Sequence, residues 1–173
     1  RACYFVNDEP RAAGLVRNEE HVTWTQAVLA LGSNMVDTHE ILCRAVADIR
    51  ATEGIMVYRQ SSVHDTTALT SSGYDETKPR YANQVITIRT VWSPEKLLTR
   101  LQSIEHRHGR MRRGDQYADR TLDIDIITYG QTELATATLT LPHPRAHERL
   151  FVLEPLLKID QDAELAGKGA VAA

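Results

Sequence analysis

An α+β sandwich of the ferredoxin-like type is the fold this sequence predicts: a mostly antiparallel sheet with helices packed on it. Three observations lead there. Ala27-Val28-Leu29-Ala30-Leu31 is a continuous apolar run closed by Gly32, the composition of a buried central strand. Two later stretches, around residues 41-49 and 97-104, carry apolar residues at helical spacing. The segments around them are apolar or alternating over strand-like lengths, so the order is strand–helix–strand–strand–helix–strand.

Residues 1-23 are polar and without clear periodicity and read as an N-terminal extension. The domain proper is expected over 24-160. After the first strand, Gly32-Ser33-Asn34 turns the chain. Asp37 or Thr38 suits a helix N-cap, and Asp37 with Glu40 has the spacing of a capping box. Ile41, Leu42, Ala45, Val46 and Ile49 form that helix's apolar stripe, and Gly54 suits a position past its end. A second strand is expected over roughly 55-64. The Thr-, Ser- and Gly-rich loop 65-79 follows, of a length that inside a compact domain is usually functional or mobile. A third strand is expected at about 81-91.

The second helix has the strongest signals. Ser93 is a good N-cap, and Pro94 fits the first helical position. Leu97, Leu98, Leu101 and Ile104 form one stripe, and Gly109 ends it. A strand follows through residues 122-127, then short strands at 131-133 and 138-141. Pro142-His143-Pro144 is rigid and non-helical. A short helix is expected over 147-157, with Pro155 near its end. From Gln161 the Ala/Gly-rich composition predicts a flexible C-terminal tail, 161-173. Helices covering one sheet face leave the other face, and the loops over it, for ligands.

Composition narrows the class. A chain of 173 residues with 42% hydrophobic content is one domain with tails and has material for a core. A net charge of −3 argues against wholesale nucleic-acid binding but leaves room for a local basic patch. The two cysteines, Cys3 and Cys43, lie far apart and read as reduced thiols of a cytoplasmic protein, not as a disulfide scaffold or zinc site. No apolar run approaches the roughly 18 residues of a membrane helix, and no signal peptide is visible. The first residue is Arg1 rather than methionine, as in a piece of a longer chain.

The chemistry concentrates in Arg120-Thr121-Leu122-Asp123-Ile124-Asp125. On a strand, Asp123 and Asp125 point to one face, while Leu122, Ile124 and Ile126 point to the other. An Asp-x-Asp pair alone is a weak metal signal. On a strand buried in a sheet, however, carboxylates need compensation from arginine or metal. Upstream lie Arg107, Arg110, Arg112, Arg113 and Arg120. A helix dipole accounts for Arg107 and Arg110, but not for Arg112 and Arg113 beyond Gly109, nor for Arg120. Hard carboxylate oxygens suit Mg²⁺ and arginine suits phosphate, so the pairing suggests a site for a Mg²⁺-bound polyphosphate.

His143, between prolines, leads into a second basic cluster of Arg145, His147 and Arg149. Either cluster could hold one end of a nucleotide. Tyr81 and Phe151 are among the few aromatics in a chain with 6% of them. Each is either a core residue or a platform on which a flat heterocycle stacks. Asn83 shares Tyr81's strand face, and its amide can read the donor–acceptor edge of such a ring.

Four motifs in order resemble the 6-hydroxymethyl-7,8-dihydropterin pyrophosphokinase family of folate biosynthesis. They are Ala30-Leu31-Gly32-Ser33-Asn34, Tyr81-Ala82-Asn83, Arg120-Thr121-Leu122-Asp123-Ile124-Asp125 and Leu141-Pro142-His143-Pro144-Arg145; Gln102-Ser103-Ile104-Glu105 through Gly109-Arg110 also fits. The likeness covers about residues 27-159. It implies transfer of pyrophosphate from ATP to the hydroxymethyl group of the pterin, giving AMP. It implies two Mg²⁺ ions on Asp123 and Asp125, and ATP phosphates on Arg110, Arg112 and Arg120, with Arg110 and Arg120 catalytic beside the aspartates. His143 and Arg149 would contact the nucleotide. The pterin would stack between Tyr81 and Phe151, read by Asn83 and the backbone near Thr66, with Glu105 in support. A monomer is expected, alone or fused to other folate enzymes.

The chain departs from the family pattern at two places. Gln116-Tyr117-Ala118-Asp119 stands where many relatives carry Arg-Trp-Gly-Pro, and Thr67 replaces a proline. Two other readings compete. An RNA-binding module is disfavoured by sparse aromatics, negative charge and the paired aspartates. A catalytically weak, nucleotide-binding homologue has only the missing loop arginine for it.

Overall fold

The computed structural model describes residues 22–34, 37–66, 68–70, 73–75, 81–109 and 122–171. Its elements are β1 (Thr25–Ser33), α1 (Thr38–Ala51), β2 (Ile55–Gln60), β3 (His64–Thr66), β4 (Ala68–Thr70), β5 (Gly73–Asp75), β6 (Tyr81–Thr90) and α2 (Pro94–Arg107), then β7 (Asp123–Tyr129), β8 (Leu134–Ala135), β9 (Thr140–Leu141), a 3-10 turn (Ala146–Glu148), α3 (Leu150–Ile159), β10 (Glu164–Leu165) and β11 (Gly169–Ala170). The main sheet runs β2-β6-β1-β7, and β3 pairs with β6 beyond β2, so β2 and β3 form one broken outer strand. Every pairing in it is antiparallel. This is the ferredoxin-like arrangement the element order predicts.

One sheet face carries the larger core. Leu29, Leu31, Ile86, Ile88, Ile124 and Ile126 pack with Leu42, Ala45, Ile49, Leu97, Leu101 and Ile104 of α1 and α2. The opposite face is not left wholly for ligands. Val28, Val85 and Ile127 pack with Val152 and Leu156 of α3, joined by Ala163 and Leu165. α3 is apolar around much of its circumference, so it seeks cover wherever the sheet offers it. The residues expected to be a flexible tail behave likewise. β10 and β11 pair, and Ala163, Leu165 and Ala166 are buried. Small side chains there let the backbone settle against the second core.

Local signals held unevenly. Ser93 caps α2 as expected, its hydroxyl accepting from Lys96 N–H at 3.4 Å. The Asp37–Glu40 capping box does not form. Asp37 has φ 64°, and its side chain makes no cap hydrogen bond. A side-chain cap needs extended backbone at that position; Glu40 pairs instead with Arg44. The loop 65-79 contains a small β4–β5 hairpin, and the strand expected at 131-133 falls at β8.

Gly54 has φ +77°, and an added Cβ would stand 2.5 Å from Trp92 Nε1 and 2.7 Å from Val91 Cγ2. Its carbonyl accepts from Val91 N–H at 3.0 Å and from the Thr90 hydroxyl at 2.9 Å, so the backbone there has little room to shift. Gly54→Ala should cost about 1–3 kcal/mol. A urea midpoint lowered at constant slope checks this, and an unchanged midpoint would refute it.

Candidate active site

The antiparallel register assembles the site on the face shared with α3. Gly32 pairs with Asn83 on one side and Asp123 on the other, and Ala30 lies between Val85 and Asp125. Alternation therefore brings Tyr81 and Asn83, Gly32 and Ala30, and Asp123 and Asp125 to one surface. Outside Asn83, β3 adds Thr66, which pairs with Tyr81. Asn83 Nδ2 donates to Thr66 Oγ1 at 2.8 Å, and that hydroxyl donates to the Tyr81 carbonyl at 3.4 Å. This relay fixes the amide, with its nitrogen toward Thr66 and Oδ1 turned toward Gly32.

The carboxylate pair stands as the alternation requires. Leu122, Ile124 and Ile126 are buried on the helical side, while Asp123 and Asp125 are partly exposed on the other. Two residues along a strand separate them by about 7 Å. Glu105 of α2 is 2% exposed, and its Oε1 accepts the Ile124 N–H at 2.8 Å. That bond ties the backbone between the two aspartates to the helix behind it.

Compensation for Asp125 comes from a different direction than the upstream arginines. Arg149 Nη1 lies 2.9 Å from Asp125 Oδ2, and His143 Nε2 lies 3.7 Å from the same oxygen. The 3-10 turn before α3 folds Arg149 back over β7. Arg110, Arg112 and Arg120 fall outside the described residues. The His143 N–H donates to the Ile127 carbonyl at 2.9 Å, holding the Pro-His-Pro segment against β7. His143 Nδ1 accepts from the Arg145 N–H at 3.2 Å, so the neutral ring carries its proton on Nε2, toward Asp125. Burial lowers the His143 pKa below its ordinary value, with Asp125 opposing the shift and Arg149 adding to it. At neutral pH this ring is an uncharged donor.

Tyr81 and Phe151 are each 39% exposed, which rules out the core alternative for both. Phe151, in the first turn of α3, has the Arg149 guanidinium 5.8 Å from its ring centre. Neither the Arg149–Asp125 pair nor the Thr66–Asn83 bond was legible in the sequence. Both join residues from distant elements, with only shared polarity to suggest them.

The donor set fits a divalent cation that arrives with phosphate. Among the described residues no cluster of three or more His, Cys, Asp or Glu side chains could hold a metal. Two carboxylates on one face, with Asp125 30% exposed, suit Mg²⁺, which completes its shell with phosphate oxygens and water.

The family model for 7,8-dihydro-6-hydroxymethylpterin-pyrophosphokinase matches residues 28–161, a span holding every site residue above. The chain belongs to this family. A pyrophosphokinase relative from Bacillus subtilis is 37% identical over 138 residues, 80% of this chain and 80% of that protein. One from Synechocystis is 39% identical over 136 residues, covering 79% of this chain and 67% of the relative. The wild-type Plasmodium falciparum HPPK-DHPS structure with pteroate matches with a TM-score of 0.68 at 11% identity, over 90% of this chain and 42% of that one. That likeness shows the fold alone, and the chain spans less than half the length of that bifunctional protein.

Proposed function

We propose that this pyrophosphokinase transfers the terminal pyrophosphoryl group of ATP to the hydroxymethyl group of 6-hydroxymethyl-7,8-dihydropterin, giving AMP and the pterin pyrophosphate for folate synthesis. One observation carries the residue-level reading. A single sheet face sets a ring-reading pair, Tyr81 and Asn83, beside a carboxylate pair, Asp123 and Asp125, with Gly32 between.

The pterin stacks between Tyr81 and Phe151. Asn83, its amide held by Thr66, reads the ring edge together with the backbone near Thr66. Asp123 and Asp125 would hold two Mg²⁺ ions, which would supply positive charge to neutralise the phosphates and help orient the β-phosphorus. Arg110, Arg112 and Arg120 grip the phosphates, and His143 and Arg149 contact the nucleotide from the α3 side. The hydroxymethyl oxygen attacks the β-phosphorus in line. The bond from that phosphorus to the α,β-bridging oxygen breaks, AMP leaves with the oxygen, and the hydroxyl proton is released. Glu105 supports the aspartates from behind.

No helix among the described residues is long and apolar enough to cross a membrane. We place the enzyme in the cytoplasm as a monomer, alone or joined to other folate enzymes. Phosphorus NMR on ATP, Mg²⁺, the dihydropterin and the protein tests the reaction. AMP and a pterin diphosphate ester should grow in together. ADP with a pterin monophosphate, or no turnover, would overturn the assignment.

A further inference from the structure

The apolar stripe of α2 ends at Ile104, and Glu105, His106, Arg107 and His108 follow it. The hydrophobic core therefore does not tether the helix's last turn, and helix ends are where a fold opens first. That turn nevertheless carries Glu105, whose carboxylate accepts the Ile124 N–H between the two aspartates. A second polar contact holds it from the other side. His108 Nε2 lies 2.9 Å from Asp48 Oδ2 of α1, and Arg107 Nη2 lies 3.7 Å from the same oxygen. A carboxylate only accepts, so the imidazole donates from Nε2. The His108 side chain is 13% exposed, which makes the partner a requirement rather than a surface accident.

Both ends of this contact are anchored. The His108 N–H donates to the Ile104 and Glu105 carbonyls at 3.1 and 3.2 Å, so fixing the imidazole fixes the turn that bears Glu105. Asp48 adjoins Ile49, which is fully buried with Leu42 and Ala45, and the Thr52 hydroxyl donates to the Asp48 carbonyl at 2.8 Å. The helices α1 and α2 cover the sheet face opposite Asp123 and Asp125, so Asp48 acts through other residues and not on the reactants.

We infer that Asp48 is a positioning residue for the transfer: through His108 it fixes the last turn of α2, and through Glu105 the backbone from which Asp123 and Asp125 project. This role rests on the reading of those aspartates as the metal-holding pair.

The test compares wild type with Asp48→Ala, Asp48→Asn, His108→Leu, the Asp48→Ala/His108→Leu pair and, as a control on the site, Asp125→Asn. The readouts are kcat, both KM values, the urea midpoint, and Mn²⁺ affinity in the presence of a non-hydrolysable ATP analogue. Alanine favours a helix, so Asp48→Ala should fold. It should lower kcat about five- to tenfold with both KM values within about twofold, a part of the loss that direct misplacement of a reacting group brings. Mn²⁺ binding should weaken by about the same factor. Asp48→Asn keeps an oxygen for His108 and should return kcat to within about twofold of wild type. His108→Leu should match Asp48→Ala, and the double variant should lose no more than either single one, because all three break one contact. Wild-type kcat and Mn²⁺ affinity in Asp48→Ala would overturn the inference. So would a lowered urea midpoint at unchanged kcat, which marks packing alone, or losses that multiply in the double variant. If Asp125→Asn turns over like wild type, the reading of the aspartates fails instead.

Discussion

Asp125→Asn should lower turnover at least about a thousandfold, since a Lewis acid at the transferring phosphoryl group contributes several kcal/mol. The substitution keeps the side chain's size and leaves an oxygen that can still accept from Arg149, now 2.9 Å from the carboxylate. Folding should survive, with a melting temperature within a few degrees of wild type. The pterin's KM should change little, because Tyr81 and Asn83 lie on β6, across β1 from Asp125. A fall in kcat without a matching rise in KM marks an interaction made with the reacting phosphate. Turnover within tenfold of wild type would remove Asp125 from the centre of the reaction. Asp123→Asn should follow the same pattern.

Replacing Glu105 separates placement of the aspartates from their chemistry. Glu105→Gln keeps an acceptor for the Ile124 N–H, and Glu105→Leu removes it from a buried position. An orphaned buried N–H costs about 1–3 kcal/mol, so the leucine variant should unfold at clearly lower urea. Ile124 lies between the two aspartates, so release of its backbone should also misplace both carboxylates. Misplacement by about an ångström can cost a hundredfold in rate. Glu105→Leu should therefore lose turnover as well as stability, and Glu105→Gln should restore much of both. A leucine variant that is less stable but equally fast would reduce Glu105 to a packing role.

The sequence carried most of the fold because its signals were local and mutually consistent. The apolar run before Gly32, the Ser93-Pro94 start of α2 and the alternation around Asp123 and Asp125 each specify their own element. Where a neighbour decided the outcome, the sequence was silent. Asp37 had the right spacing for a capping box, but the left-handed backbone there forbids one. The Ala/Gly-rich C-terminus looked frayed, yet Ala163 and Leu165 are buried beside α3. Strand periodicity alone put Asp123 with Asp125 and Tyr81 with Asn83. That these two pairs flank Gly32 follows from strand order and register, which no single segment encodes. Arg149 was read as a nucleotide contact, and its ion pair with Asp125 depends on the turn that starts α3.

Metal binding is the most direct measurement. Mn²⁺ can replace Mg²⁺ and be counted by electron paramagnetic resonance, with wild type, Asp123→Asn/Asp125→Asn and a non-hydrolysable ATP analogue. Wild type with the analogue should take up two Mn²⁺ ions per chain. The double variant should hold no more than the single ion that travels with the nucleotide. Equal stoichiometry and affinity in the two proteins would contradict the assignment of Asp123 and Asp125 as the metal-holding pair.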